Sequence, residues 1–240
     1  MTFILSDVDT SEAESITRII EVPAMQNGPL YQTMFPQSDT ITEAQKEEIT
    51  RWYTEMLEEA LDDRWESFLK ACPGDGTPAG FCGWTIVQQN PAAQVASTNS
   101  QAQGPPKQER RKREFWLPET LDGDAWVAVS KVLRTERNRV LKDLDNVCRK
   151  LINTTASRQP PDSLPNLGLT FMAVNPHHQR QGIGSLMMQH ICEETDRHGR
   201  CAYVLAAPEG VPLYTKFGFE TVGFVETPKG TITSMLRPAR

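Results

Sequence analysis

Apolar residues recur at three- and four-residue steps along several stretches of the chain, which is the spacing of a helix with one buried face. The clearest stretch predicts a helix from about Thr42 to Asp62, and Thr42 and Gln45 have the spacing of a capping box at its start. An earlier stretch predicts a shorter helix that begins near Ser11 and Glu14, which have the same spacing, and that ends at Pro23.

Short runs of aromatic and β-branched residues, bounded by glycine and proline, predict strands. Two such runs, Trp65 to Cys72 and Gly80 to Val87, are separated by a Pro-Gly-Asp-Gly turn. In the second half of the chain the pattern predicts a strand before Pro176, a helix from Ile183 to about His198 and a strand over Ala202 to Ala206. A short helix over Leu213 to Phe217 follows, and then a hairpin formed by Thr221 to Glu226 and Thr231 to Leu236. These elements predict an α/β (or α+β) protein.

Residues 90–165 differ in character from their surroundings and are interpreted as an insertion between the third and fourth strands. Residues 90–118 are rich in Gln, Asn, Ser, Ala and Pro, which predicts a flexible low-complexity loop. Residues 119–155 carry a helical apolar stripe, either as one long helix over Asp122 to Thr154 or as two pieces that break near Thr135. We expect this stripe to pack as core; a lid and a contact with a second copy of the chain are the alternatives.

Composition narrows the range of functions. A net charge of −6 over 240 residues argues against a general nucleic-acid-binding surface. The first residues lack the basic region and the long apolar run of a signal peptide, and no stretch is apolar enough to cross a membrane, so we expect a cytoplasmic protein with no membrane partner. The basic run from Lys107 to Arg113 leaves a nuclear location as the alternative to a solvated charged loop.

The five cysteines form no Cys-x-x-Cys pair, which predicts reduced buried thiols and no metal site.

The most informative segment is 167–186, in which an apolar run, a proline and a glycine-spaced turn lead into a helix. The free backbone N–H groups at such a helix start, together with the positive end of the helix dipole, form an anion site that a phosphate commonly fills. Met187 occupies the place of the third glycine of a dinucleotide-binding fingerprint, and no Gly-Lys-Ser/Thr follows as in a nucleoside-triphosphate-binding loop. The segment therefore predicts a phosphate site of another kind.

The sequence from Gln179 to Gly184, Gln-Arg-Gln-Gly-Ile-Gly, matches Gln/Arg-x-x-Gly-x-Gly/Ala, the pyrophosphate loop of the GNAT superfamily of acyl-CoA N-acyltransferases. Leu169 to Pro176 resembles the fourth strand of that family, and Pro212 to Phe219 resembles its later Leu-Tyr-x-Lys-x-Gly-Phe signature. The early loop from Asn27 to Pro36, with the long insertion, is most similar to the stand-alone fungal members. The resemblance implies one GNAT domain over residues 1–240, with a mixed, mostly antiparallel central sheet, splayed fourth and fifth strands, helices on both faces and a helical insertion.

The resemblance further implies acetyl-CoA as the cosubstrate and no metal. In this family the backbone of the fourth strand pairs with the pantetheine arm, while the loop amides hold the diphosphate and the glycines permit its close approach. The cofactor-binding residues so implied are Met172, Ala173, Val174, Gln179, Arg180, Gln181, Gly182, Ile183, Gly184 and Ser185. The alternative role of the two glycines is simply to allow a tight turn between strand and helix.

Tyr214 stands where family members often place a phenol that protonates the leaving thiolate; a packed aromatic residue is its alternative role. Leu169 to Val174 contains no ionisable residue where many relatives have a glutamate, so no general base is assigned, and Glu21 and Glu209 are weak candidates. The resemblance implies transfer of an acetyl group to a primary amine by direct attack in a ternary complex. The missing carboxylate motivates the alternative of a CoA-binding regulatory or interaction module with little or no turnover.

The expected partner is a small-molecule amine, and a homodimer is a further possibility. In this fold the acceptor pocket comes from the loop between the first helices, here about Glu21 to Tyr31, and from the terminal hairpin. Met25, Asn27, Tyr31 and Phe35 predict a wall that is partly apolar and partly polar. Such a wall fits aryl amines, polyamines and amino acids equally well.

Overall fold

The computed structural model describes residues 2–63, 66–74, 76–87, 116–142 and 166–240. The low-complexity loop expected at 90–118 lies outside these residues except for its last three positions, and the basic run from Lys107 to Arg113 lies outside them entirely. The part of the expected helical segment that follows residue 142 is likewise outside them.

In the described part of the chain, seven strands form one sheet in the order β1-β2-β3-β4-β5-β7-β6. The strands are β1 (Ile4–Asp7), β2 (Glu66–Cys72), β3 (Gly80–Val87), β4 (Asn166–Val174), β5 (Ala202–Ala206), β6 (Glu220–Thr227) and β7 (Gly230–Arg237). All neighbours are antiparallel except β4 and β5, which are parallel, so the predicted mixed sheet is confirmed. The sequence pattern does not predict β1, because three of its four residues are exposed and no apolar alternation marks it.

The parallel strands β4 and β5 stay together over only two residue pairs, Leu167 with Ala202 and Gly168 with Tyr203. Both strands then continue, β4 to Val174 and β5 to Ala206, without pairing to each other. The splayed fourth and fifth strands that the resemblance implies are therefore present. The divergence leaves one edge of the second half of β4 without a neighbouring strand.

A β-bulge in β4 changes the face of the sheet on which its side chains lie. Gly83 pairs with Phe171 but the next residue of β3, Trp84, pairs with Leu169, so Thr170 is the extra residue. An extra residue shifts the two-residue alternation of side chains by one. As a result, two core clusters divide the strand: one contains Leu167, Leu169, Met172 and Val174, and the other contains Phe171 and Ala173.

The N-terminal helical region starts differently from the prediction. Its capping box is formed by Asp9 and Glu12, and not by Ser11 and Glu14. The carboxylate of Asp9 accepts a hydrogen bond from the Ser11 N–H at 2.9 Å, and that of Glu12 accepts one from the Asp9 N–H at 2.9 Å. A 3-10 turn (Thr10–Glu12), α1 (Ala13–Ile16), a π-helical segment (Thr17–Glu21) and α2 (Val22–Met25) then follow in succession.

Pro23 does not end this helical region, so the predicted end is wrong. The Val22 N–H donates to the carbonyl oxygen of Thr17, five residues earlier, which changes the hydrogen-bond register just before the proline. Pro23 then lies in the first turn of α2, where an N–H group would have no helical partner in any case. Single π-helical turns are frequent at functional sites, and the last residue of this one is Glu21.

Two further helices, α3 (Pro29–Met34) and α4 (Glu43–Leu61), complete the layer that α1 begins. The predicted capping box of α4 is confirmed: the Thr42 hydroxyl accepts from the Gln45 N–H at 3.3 Å and the Gln45 side chain accepts from the Thr42 N–H at 2.9 Å. The inner faces of the two helices form an aromatic cluster, in which rings lie 4.9 to 6.4 Å apart; its members are Tyr31, Phe35, Trp52 and Tyr53.

The insertion supplies α5 (Gly123–Lys142), which continues through Thr135 without a break. Near its start, Val129 is buried against the aromatic cluster, and Trp126 packs edge-on to Trp52 at 5.8 Å. Near its end, Val140 is buried with residues of β5 and β7. Over its described length the apolar stripe is therefore core, and α5 joins the N-terminal helices to the second half of the sheet.

The opposite face of the sheet is covered by α6 (Ile183–Arg197) and α7 (Val211–Lys216). The predicted inner face of α6 is confirmed for Ile183, Met187 and Ile191, which are at most 1% exposed. Helices therefore lie on both faces of the sheet, as the resemblance implies. No helix in the described ranges is long and apolar enough to span a membrane.

Candidate active site

The start of α6 is an anion site built from backbone N–H groups. Gly182, at the N-cap position, has a left-handed φ of 89° that suits glycine, and no side chain caps the helix. The first intrahelical bond joins the Leu186 N–H to the Gly182 carbonyl at 2.9 Å. The N–H groups of Ile183, Gly184 and Ser185 therefore have no helical acceptor. They project from the positive end of a 15-residue helix, which favours a bound anion.

The loop before α6 is held in place by its own hydrogen bonds. Asn175 donates its N–H to the carbonyl of Ala79, the residue before β3, at 2.9 Å, and its side chain accepts the His177 N–H at 2.8 Å. The side chain of Gln179 donates to the Val174 carbonyl at 3.3 Å, and that of Gln181 donates to the His177 carbonyl at 3.4 Å. These bonds give Gln179 and Gln181 a role in shaping the loop.

Two features of the same loop are unsatisfied without a ligand. Arg180 has a positive φ of 63°, which is uncommon for a residue other than glycine, and its side chain is exposed. The Nδ1 atom of His178 is buried without a hydrogen-bond partner among the described residues. An exposed arginine beside helix-start amides without a helical acceptor favours a bound anion.

The second half of β4 offers an open strand edge next to this loop. Met172, Ala173 and Val174 pair with β3 on one side. On the other side β5 has already diverged, because the last pair joins Gly168 to Tyr203. The exposed N–H and C=O groups of this edge can pair with an extended amide-containing chain, as strand addition does elsewhere. The structure thus brings the implied strand residues and the implied loop residues together at one end of β4.

Tyr214 lies on α7, on the same face of the sheet as α6. Its side chain is 7% exposed, and its ring packs edge-on to Phe219 at 5.6 Å. A methyl group at Gly210 would come within 2.9 Å of that ring, so the ring is tightly seated. Burial, together with the nearby thiol of Cys82, raises the pKa of the Tyr214 phenol. The phenol is therefore protonated at neutral pH and can donate a proton or a hydrogen bond.

Glu21, which the sequence offered only as a weak candidate for a general base, is a buried acid in the structure. It is 8% exposed, and burial raises the pKa of its carboxyl from 4.5 to about 8. Its hydrogen-bond partner is the Thr17 hydroxyl, which donates to it at 3.4 Å from the same π-helical segment. A carboxyl group has room for several donors, so this acid is poorly satisfied. The signal in the sequence is a single charge within the apolar run Ile-Ile-Glu-Val, but only tertiary packing shows that the charge is buried.

The phenol of Tyr53 lies near Glu21, and Tyr31 lies beside Tyr53. The pKa of the Tyr53 phenol is raised well above its usual value by burial first, then by the charges of Glu21 and Tyr31. The rings of Tyr31 and Tyr53 are stacked with centroids 6.4 Å apart. Burial also raises the pKa of Tyr31. Glu21 and Tyr53 are therefore neighbours where the aromatic cluster meets the π-helical segment.

Glu21 and Tyr53 lie on the face of the sheet opposite to α6. Ile20, next to Glu21, shares a core cluster with Ala173 of β4. The loop before α3 also reaches the β6–β7 hairpin, because a methyl group at Gly230 would come within 3.2 Å of the Pro29 side chain. The predicted walls of the acceptor pocket, the early loop and the hairpin, are thus adjacent. On that same face, Arg139 of α5 donates to the Val222 carbonyl of β6 at 2.9 Å.

The other polar candidates do not form a site. Glu209 and His177 are exposed. Among the residues that the structure describes, no group of three or more His, Cys, Asp or Glu side chains could hold a metal ion. Cys72, Cys82 and Cys192 are buried and are not in disulfides, as expected. Cys201 is disulfide-bonded, so the expectation of a reduced thiol is wrong there.

Comparison with known proteins agrees with this geometry. Residues 142–221 match the acetyltransferase (GNAT) domain family, and this range holds β4, the anion loop, α6, β5 and α7. Every element of the cofactor site described above therefore lies within the match.

Several solved acetyltransferases share the fold over the whole chain. Arylalkylamine N-acetyltransferase 2 of Aedes aegypti is 11% identical with a TM-score of 0.60, and the alignment covers 100% of both chains. A polyamine N-acetyltransferase of Drosophila melanogaster is 12% identical with a TM-score of 0.58, covering 99% of this chain and 100% of that one. An acetyltransferase of Corynebacterium glutamicum related to histone acetyltransferase HPA2 is 14% identical with a TM-score of 0.57, covering 100% and 98%.

At these identities the structural likeness shows a common fold. Together with the family match, it confirms the resemblance that the sequence motifs indicated. Residues 142–221 thus resemble the acetyltransferase (GNAT) domain family, and the chain shares the fold of solved acetyltransferases.

Proposed function

We propose that this protein is an N-acetyltransferase that moves the acetyl group of acetyl-CoA to a primary amine by direct attack in a ternary complex. The observation that carries the proposal is the uncapped start of α6 beside the open edge of β4. The solved acetyltransferases of similar fold are named for arylalkylamine and polyamine acceptors, which supports an amine as the acceptor here.

The cofactor is held mainly by backbone groups. The free N–H groups of Ile183, Gly184 and Ser185 bind the diphosphate, and the guanidinium of Arg180 adds a charge-assisted contact. The pantetheine arm runs along Met172, Ala173 and Val174 as an additional strand. This arrangement directs the thioester into the gap between β4 and β5. The acceptor then reaches it from the face that carries the early loop and the hairpin.

Tyr214 assists the departure of the thiolate. An alkyl thiol has a pKa of about 8.5 and an ordinary phenol one of about 10. Because burial raises the phenol pKa further, Tyr214 donates a hydrogen bond to the sulfur as negative charge develops there and gives up its proton late. General acid catalysis of this kind contributes about 10²-fold or more to the rate.

The proposal is tested by calorimetric titration with coenzyme A and by acetyl-CoA consumption with a panel of primary amines. We expect saturable binding, turnover of at least one amine, and a lower kcat in Tyr214→Phe with unchanged coenzyme A affinity. Saturable binding without turnover of any amine would favour the alternative, a CoA-binding regulatory or interaction module. Absence of binding by folded protein would contradict both functions.

A further inference from the structure

We infer that Arg237 is a positioning residue, which sets the place of Tyr214 relative to the cofactor helix α6. The inference rests on the proposed function, in which Tyr214 assists the departure of the thiolate. Arg237 is the last residue of β7, and its side chain contacts the C-terminal ends of α6 and α7. It acts on the reaction through the turn that follows Tyr214.

The hydrogen bonds of Arg237 are the first observation. Its guanidinium donates to both carboxylate oxygens of Asp196 at 2.7 Å and to the Thr195 hydroxyl at 3.2 Å. The Nε–H donates to the Phe217 carbonyl at 3.0 Å. The arginine is 2% exposed, so it makes these bonds away from bulk water. One side chain thus joins β7 to the ends of two helices.

The turn that Arg237 holds also holds Tyr214. Phe217, whose carbonyl accepts from Arg237, is the C-cap residue of α7. The Tyr214 carbonyl accepts the N–H groups of Phe217 at 3.0 Å and of Phe219 at 3.1 Å. The ring of Phe219 also packs edge-on to that of Tyr214. A displacement of the turn therefore moves both the backbone and the ring of Tyr214.

The start of α7 contacts the start of the cofactor helix. A methyl group at Gly184 would come within 3.1 Å of the side chain of Leu213, the residue before Tyr214. At its other end α7 is joined to α6 through Arg237, which bridges the ends of both helices. Because α6 is one helix of 15 residues, these two contacts fix α7 on it. They thereby fix the phenol relative to the N–H groups that the proposed function assigns to the diphosphate.

Stability alone does not account for a buried arginine at this place. A buried ion pair contributes little more than well-packed apolar residues of similar size, because both charges lose their hydration. A guanidinium differs from an ammonium in its planar, rigid fork of donors, which binds a carboxylate at two points and directs the Nε–H to a third acceptor. Direction matters here, because a displacement of about 1 Å at a reacting group lowers a rate about 100-fold.

The first experiment measures the effect of Arg237→Lys on kcat in two backgrounds, wild type and Tyr214→Phe. In wild type we expect kcat to fall about tenfold or more, with little change in coenzyme A affinity. In Tyr214→Phe the same substitution should change kcat less than about twofold, because the effects of residues that act as a unit are not additive. Equal fold losses in the two backgrounds, or no loss in wild type, would overturn the inference.

Arg240→Lys is the matched control. Arg240 is exposed, and its guanidinium lies against Gly218 in the turn that follows α7. This variant should keep the kcat and the coenzyme A affinity of wild type, and a loss equal to that of Arg237→Lys would count against the inference. If circular dichroism shows that Arg237→Lys does not fold, Arg237→Gln takes its place, since it removes the buried charge and leaves the partly exposed Asp196 to water.

The second experiment follows the phenol directly, by NMR of protein whose tyrosines carry ¹³C at Cζ. The Tyr214 signal is the one that Tyr214→Phe lacks. We expect saturating coenzyme A to shift this signal in wild type, and to shift it much less in Arg237→Lys. The same shift in both proteins, or no shift in wild type, would overturn the inference. If wild type binds coenzyme A and acetylates no amine, the proposed function fails, whereas this measurement still decides whether Arg237 positions Tyr214.

Discussion

Gly168 and Tyr203 form the last residue pair between the parallel strands β4 and β5, six residues before β4 ends at Val174. All the groups to which we assign a part in cofactor binding lie beyond this pair or in the loop that follows. The early separation of two neighbouring strands opens a gap in the sheet, which under the proposed function receives the thioester. The start of α6, the proposed diphosphate site, lies beside that gap.

The left-handed conformation of Gly182 predicts a specific effect on cofactor affinity. Gly182→Ala has space for its methyl group, since no atom lies within 4 Å, but its φ of 89° is unfavourable for alanine by about 1 to 2 kcal/mol. We expect the loop to relax and coenzyme A affinity, measured by calorimetry, to fall about tenfold or more.

The matched control for this variant is Gly199→Ala. Gly199 also has a positive φ, of 59°, and it follows the other end of α6. It lies about 22 Å from the anion loop at 1.5 Å of helix rise per residue. Thermal unfolding should show comparable losses of stability in both variants, with coenzyme A affinity unchanged in Gly199→Ala. Equal losses of coenzyme A affinity in Gly182→Ala and Gly199→Ala would mean that the left-handed conformation at Gly182 does not determine that affinity.

Tyr214→Phe separates the chemical role of the phenol from its packing role. The ring contacts with Phe219 and the close fit at Gly210 are kept, so stability should change by less than about 1 kcal/mol. We expect kcat to fall about 100-fold or more, measured by release of free thiol. An unchanged kcat would reduce Tyr214 to a packed aromatic residue.

The buried acid Glu21 predicts an unusual dependence of stability on pH. Its pKa is about 8 in the folded protein and near 4.5 when unfolded, so its protonated form stabilises the fold at low pH and this contribution is lost as pH rises through 8. At 1.36 kcal/mol per pKa unit, the difference between the folded and the unfolded pKa corresponds to about 4 to 5 kcal/mol in the free energy of unfolding. Glu21→Gln should therefore be more stable than wild type above pH 8 and nearly equal to it below pH 4.5.

Denaturant unfolding of both proteins from pH 4 to pH 9 measures this difference directly. Titration of other groups, such as Glu66, cancels because both proteins share it. A constant difference across the range would show that Glu21 is solvated in the folded state.

The insertion helix α5 provides a test of how the fold is held together. Val129 is 6% exposed and packs on the aromatic cluster, whereas Val127, two residues earlier on the same helix, is 63% exposed. Val129→Ala should reduce the free energy of unfolding by about 1 to 3 kcal/mol. Val127→Ala should change it by less than about 0.5 kcal/mol. Chemical denaturation of the two variants measures the contrast.

Local patterns in the sequence predicted the elements that depend on local chemistry. The capping box of Thr42 and Gln45, the strand from Ala202 to Ala206 and the glycine-spaced turn before α6 were all placed correctly. Each is specified by residues within a few positions of one another. The pyrophosphate loop was recognisable for the same reason.

Features that depend on tertiary contacts were not predictable in this way. β1 pairs with β2 through backbone bonds and leaves most of its side chains exposed. The π-helical register that lets the chain pass Pro23 is not encoded by any short motif. The raised pKa of Glu21 arises from its burial, because residues from α4 and β4 exclude water from it. In each case the deciding partner is distant in the sequence.

The central claim is that the N–H groups at the start of α6 hold the diphosphate of coenzyme A. The most direct measurement is an NMR titration of ¹⁵N-labelled protein with coenzyme A, followed through the backbone amide signals. The account predicts saturable shifts that are largest for Gly182, Ile183, Gly184 and Ser185, with a second group at Met172 to Val174. Saturable shifts elsewhere that leave these amides unmoved, or no shifts at millimolar coenzyme A, would contradict it.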